Sequence, residues 1–131
     1  MLHEEITSVV IAAYYDVYNT LGYGFLEKVY ENALILELQK RGLTAEQQLP
    51  IKVYYEGQVV GEYFADLLVN SLVILELKAA EQIIKAHEAQ LTNYLKATDL
   101  EVGLILNFGP KAEFKRKIFS NDRKPSLKGK E

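Results

Sequence analysis

At 131 residues, 49% apolar and 25% charged, the chain is long enough for one domain with a buried core and too apolar for a disordered one. It contains no cysteine, which excludes disulfide frameworks, thiolate nucleophiles and thiolate-zinc sites, so any metal must be held by oxygen or imidazole. The formal charge of -3 is uneven: eight Lys/Arg against three Asp/Glu from Lys111 onward give +5, leaving -3 - 5 = -8 on residues 1–110.

In chain order, Ile6, Val9, Val10, Ala13 and Val17 recur at helical spacing, predicting a helix from His3 to Thr20 that stops at Gly22 and Gly24. A second helix is predicted from Leu26 to Arg41, on Leu26, Val29, Tyr30, Ala33, Leu34 and Leu38, ending at Gly42. From Glu46 the period changes to two, with Ile51, Val53 and Tyr55 alternating against Lys52, Tyr54 and Glu56. Glu56-Gly57 reads as a turn, Val59 to Val69 as a second strand, Asn70-Ser71 as another turn and Leu72 to Lys78 as a third strand. Helical spacing returns from Ala79 to Ala97. Glu101 to Phe108 reads as a buried strand, and Phe114 to Phe119 as an edge strand. The order predicts an α/β fold of the α+β kind, a mixed sheet of four to five strands with helices on its faces. A single domain over 1–120 is expected, followed by a basic, flexible tail over 121–131. It reads either as a phosphate-binding arm or as a solvated end. No apolar run approaches the roughly 20 residues of a membrane span and the N-terminus shows no basic leader, so a cytoplasmic protein without membrane contact is expected.

The third strand is apolar on both alternating faces until Glu76 and Lys78, as in a strand covered on both sides. The strand before it carries Asp66 between Phe64 and Leu68 on one face, with Ala65 and Leu67 on the other. Charges buried without partners cost several kcal/mol each, so three of them at the rim of such a sheet need compensation. Glu76 and Lys78, two residues apart, share a face. A hairpin centred on Ser71 would set Asp66 opposite Glu76, whereas a strict two-residue Asn70-Ser71 loop would pair Asp66 with Leu75 and turn Glu76 away. In the first register two carboxylates and an ammonium converge. Magnesium or manganese would then be held by Asp66, Glu76 and the backbone carbonyl of Leu77, with Lys78 beside the attacking water. The competing reading is a partly exposed structural ion pair.

The residues Gly24-Phe25-Leu26-Glu27-Lys28-Val29-Tyr30, with Asp66, Glu76-Leu77-Lys78 and Gln90-Leu91-Thr92-Asn93-Tyr94, resemble the bacterial GxxExxY proteins of the PD-(D/E)XK nuclease superfamily. The resemblance runs from about Ile6 to Phe119. It implies a restriction-endonuclease-like core and a Mg2+- or Mn2+-dependent nuclease hydrolysing phosphodiester bonds of nucleic acid, DNA being expected. It also implies catalytic roles for Asp66, Glu76, Lys78 and Glu27, and substrate contacts by Gln90, Tyr94 and Tyr30. A homodimer is compatible with it. Ala65 stands in place of the signature's proline, which is not a ligand. The alternative is a catalytically silent nuclease-fold module that binds nucleic acid or a protein partner. By spacing alone, Tyr30 and Tyr94 read as core residues and Glu27 with Glu31 as a solvated helix face. The stripe Tyr14, Tyr15, Tyr18 reads as packing or as a stacking surface.

Overall fold

The computed structural model describes residues 2–124. The elements run α1 (Glu4–Leu21), α2 (Glu27–Lys40), β1 (Ala45–Tyr55), β2 (Gln58–Val69), β3 (Val73–Lys78), α3 (Lys85–Lys96), β4 (Val102–Phe108) and β5 (Ala112–Ile118), closing with a short 3-10 turn at Asn121–Arg123. The five strands form one mixed sheet in sequential order, antiparallel except for the β3–β4 pair, which is parallel and joined by α3 as the crossover. Among the described residues no helix is long and apolar enough to cross a membrane.

The strands that read as continuously apolar are the central ones, since every residue of β4 and all of β3 up to Leu77 are buried. Their odd and even positions feed two separate cores. Leu75, Leu77, Leu104 and Leu106 pack with Val10, Tyr14, Tyr30 and Leu34 of α1 and α2, while Ile74 and Ile105 pack with Leu91, Tyr94 and Leu95 of α3. The helices therefore cover opposite faces, which is why β3 shows no polar face of its own. α3 lies close against β4 at Gly103, where a Cβ would stand 2.7 Å from Leu91 Cδ1. Two members of the aromatic stripe of α1 are packed, Tyr14 fully buried with its hydroxyl bonded to Asn107 O and Glu113 O and Tyr18 donating to Gly109 O at 2.8 Å, while Tyr15 is exposed.

One expectation changes. The helix predicted from Ala79 begins six residues later, at Lys85. A helix from Ala79 would pair the Ile83 N–H with the Ala79 carbonyl and the Ala80 carbonyl with the Ile84 N–H, but tertiary partners claim both groups, Asn107 Nδ2 donating to Ala80 O at 2.9 Å. Ala79 N–H donates to Glu27 at 3.2 Å, Ala80 N–H to Asn107 Oδ1 at 3.0 Å and Ile83 N–H to Glu113 Oε1 at 3.0 Å. The first four residues of the expected tail, 121–124, lie within the described residues and make hydrogen bonds to the domain. Asn121 N–H donates to Glu101 Oε2 at 2.8 Å, and Lys124 Nζ donates to the carbonyls of Thr98 and Leu100. The rest of that expectation, over 125–131, lies outside the described residues.

Candidate functional site

Everything at the site follows from the β2–β3 hairpin. Val69 pairs with Val73, Leu68 with Ile74 and Leu67 with Leu75, so the turn is centred on Ser71. The loop has three residues, Asn70 to Leu72. Asn70 and Ser71 both adopt positive φ, of 50° and 59°, and Asn70 is secured by its Oδ1 accepting from Thr44 N–H at 2.8 Å. Short polar side chains tolerate that backbone, which makes the odd-length turn affordable. Continuing the register places Asp66 opposite Glu76.

At that point the strands part. β2–β3 pairing ends at Leu67 and Leu75, and side chains bridge the gap in place of backbone. Asp66 N–H donates to Glu76 Oε2 at 2.9 Å, and Leu77 N–H donates to Asp66 Oδ2 at 2.8 Å. Each acid thus caps the opposite strand. Leu77 turns its N–H toward β2, and the N–H and C=O of one strand residue face the same neighbour, so its carbonyl faces the same gap.

The alternation of β2 also slips here, unlike the sequence expectation. Ala65 packs in the α3 core but Leu67, two residues on, packs in the α1–α2 core, and Phe64 is exposed. β1 slips at the matching place, where Gln48 has φ 57° between Gln47, bonded to Glu31 of α2, and Leu49, packed on the α3 side. Asp66 is the residue about which the strand turns over.

Glu76 is only 4% exposed. Burial, and then the neighbouring Asp66 charge, push its carboxyl pKa up to about 8. Asp66 is raised by burial too, against the opposing effect of the Leu77 N–H. Two desolvated carboxyls side by side are costly to ionise together, and a divalent cation removes that cost. Asp66 Oδ1 and Glu76 Oε1 remain outside the bracket of hydrogen bonds just described, so the two acids and the Leu77 carbonyl fit a hard, oxygen-seeking ion that keeps waters. Among the described residues no three His, Asp or Glu side chains gather as ligands for one ion, so the donor set rests on these two carboxylates.

The other predicted residues divide. Lys78, half-buried, donates its Nζ to Gln90 Oε1 at 3.3 Å, not to either acid, while its charge opposes the pKa rise of both. Glu27, the first residue of α2, reaches across to the Ala79 N–H next to Lys78, and its charge acts on both Asp66 and Glu76. Tyr94 is buried beside the acids, and burial followed by their charges raises its hydroxyl to about 12. His87 borders the group, lowered by burial and then by Lys78.

Tyr30 does not join them. It is fully buried, stacked on Phe108 with ring centroids 4.2 Å apart, and its hydroxyl donates to Gly22 O at 2.7 Å and accepts from Phe25 N–H at 3.1 Å. Both of its polar valences are used, so the substrate contact expected of it is withdrawn. It braces the loop that delivers Glu27, a loop that turns at Gly24 with φ 116°, a conformation L side chains rarely adopt.

Sequence reasoning missed Asn107 and Glu31. Asn107, fully buried, clamps Ala80 by its N–H and by its C=O, the latter at 2.9 Å, fixing the chain just after Lys78. The signal was present: an amide in the otherwise apolar run of β4. Glu31 is buried, accepts from Gln47 at 2.8 Å and Lys28 at 3.3 Å, and its charge also raises Asp66. Its spacing carried the signal: three and seven residues before Leu34 and Leu38, it falls on the apolar face of α2.

Residues 4–117 match the sequence model of the PD-(D/E)XK nuclease superfamily. A search of the solved structures finds, among its matches, one described as "Crystal structure of SSO0001", at a TM-score of 0.56 and 17% identity, covering 88% of this chain and 58% of that one. The chain therefore spans little more than half of that protein's length, and at this identity the likeness concerns the fold. A search of curated proteins finds no match.

Proposed function

We propose that this chain, which belongs to the PD-(D/E)XK nuclease superfamily, is a metal-dependent hydrolase of phosphodiester bonds in nucleic acid, DNA being the expected substrate. The observation that carries the reading is the mutual bracket of Asp66 and Glu76 at the parting of β2 and β3, with Lys78 on the same face two residues on. Asp66, Glu76 and the Leu77 carbonyl would hold magnesium or manganese, which when bound supplies positive charge to a phosphoryl oxygen. Lys78, steadied by Gln90, would orient the attacking water with its ammonium and offset the charge that grows on the phosphoryl oxygens. Gln90 keeps its amide N–H groups for a phosphate oxygen while its Oε1 serves Lys78. Glu27 holds the Ala79 backbone and so the position of the strand end that carries Lys78.

The test is incubation of the purified protein with linear, nicked and single-stranded DNA in magnesium or manganese. Cleavage by wild type and its loss in Lys78→Ala support the reading. Cleavage that survives unchanged in Lys78→Ala overturns the mechanism. Salt-dependent binding without any cutting identifies the silent nuclease-fold module instead.

A further inference from the structure

Beyond Asp66, β2 pairs with β1 alone, so the two strands continue past the sheet as an arm beside α3. Between arm and helix lies a cleft of about 550 Å³. That size is in the range of small-molecule sites, roughly 300–1,000 Å³. Tyr63 stands on the arm side, half-exposed, its ring centroid 5.8 Å from that of Tyr94 and tilted by 43°. Ala86 and Ala89 on α3 leave the opposite wall low, and the exposed Asn93 presents a side-chain amide that is engaged by no partner among the described residues.

We propose that this cleft takes one unstacked nucleobase, with Tyr63 as its stacking platform and Asn93 at its edge, so that the chain acts on single-stranded or frayed nucleic acid in preference to intact duplex. This rests on the nuclease reading and deepens it. Among the described residues no charged side chain lines the cleft, which suits a neutral heteroaromatic ring and not a phosphate. Gln90 lines it and also accepts from Lys78, so a base held there is continuous with a phosphodiester at the carboxylates. A ring inside a duplex offers no free face to Tyr63, whereas an unpaired base does, and an amide pairs with the donors and acceptors of a base edge.

The chain contains no tryptophan, so Tyr63→Trp introduces a single reporter at the platform. It is titrated, in calcium to prevent turnover, with an oligothymidylate, with an abasic oligonucleotide of equal length and with a blunt duplex. Quenching by the oligothymidylate, with none from the abasic strand and little from the duplex, is expected. Equal quenching by the abasic strand, equal quenching by the duplex, or no quenching by any of them overturns the proposal. Anisotropy of a labelled oligothymidylate gives a second measurement without a new ring. Tyr63→Ala should weaken binding roughly 5- to 150-fold, the effect of losing one aromatic stack, and unchanged affinity overturns the platform. Because neither readout needs cleavage, a protein carrying both Lys78→Ala and Tyr63→Trp, which does not cut, is still quenched if the cleft is right. A protein that cuts but shows no quenching loses the cleft alone.

Discussion

Replacing Glu76 by glutamine isolates the cost of burying its charge. Its carboxyl pKa stands at about 8 in the fold against an ordinary 4.5. At 1.36 kcal/mol per unit this corresponds to about 5 kcal/mol of pH-dependent stability. The sign follows from which state binds the proton more tightly, and here it is the folded one. The contribution is fully present below about pH 4.5 and is lost as pH rises through about 8. Asp66, raised in the same direction, steepens the loss. Metal-free wild type should therefore weaken markedly between pH 5 and pH 9, by a large fraction of the roughly 5–15 kcal/mol available to a domain. Glu76→Gln keeps a carbonyl oxygen for the Asp66 N–H and has no charge of its own to bury, so it should fall much less than wild type over that window and be the more stable protein at pH 9. Magnesium should restore wild type at high pH, by about 2.7 kcal/mol at a hundredfold excess over its dissociation constant, and leave Glu76→Gln unmoved. Urea unfolding in chelator and in magnesium, at several pH values, reads all of this. A wild type whose stability does not fall with pH, or a Glu76→Gln that falls equally, refutes the reasoning.

Tyr30→Phe removes the hydroxyl that joins Gly22 O to Phe25 N–H and should cost about 1–3 kcal/mol in urea unfolding; unchanged stability would mean the loop before Glu27 needs no brace. Asn107→Ala leaves both backbone groups of Ala80 without their partner and should cost a similar amount, about 1–3 kcal/mol, with faster amide exchange at Ala80 as the local signature. Gly103→Ala drives a methyl into Leu91 and should destabilise by about 1–3 kcal/mol, shifting α3 and the side chains of Gln90 and Tyr94; a neutral effect would show that α3 is loosely seated.

The architecture was legible because burial writes itself into periodicity. The run from Val73 to Leu77 shows no polar face since α1 and α2 cover one side and α3 the other. The same logic exposed Glu76 as out of place, and would have exposed Asn107 had it been applied to β4. The register was legible only as a choice between two loops, because the deciding factor is the backbone of Asn70 and Ser71 and not their polarity. The late start of α3 was hidden. Ala79, Glu81, Gln82 and Ile84 suit a helix locally, and only Asn107 and Glu113, both far away in sequence, take the Ala80 carbonyl and the Ile83 N–H that a helix would pair. The turnover of β2 at Asp66 was hidden for a related reason: it compensates a matching slip at Gln48 on β1, a pairing that alternation within one strand does not record. Tyr30 and Tyr94 sit at similar helical positions, and only the packing separates a brace from a site neighbour.

Calorimetric titration of the purified chain with manganese at pH 8, for wild type and Asp66→Ala, bears most directly on the paired carboxylates as a cation seat. One ion bound by wild type with release of protons, and none by the variant, is the expected outcome. Equal binding by both proteins, or no binding by wild type, would contradict it.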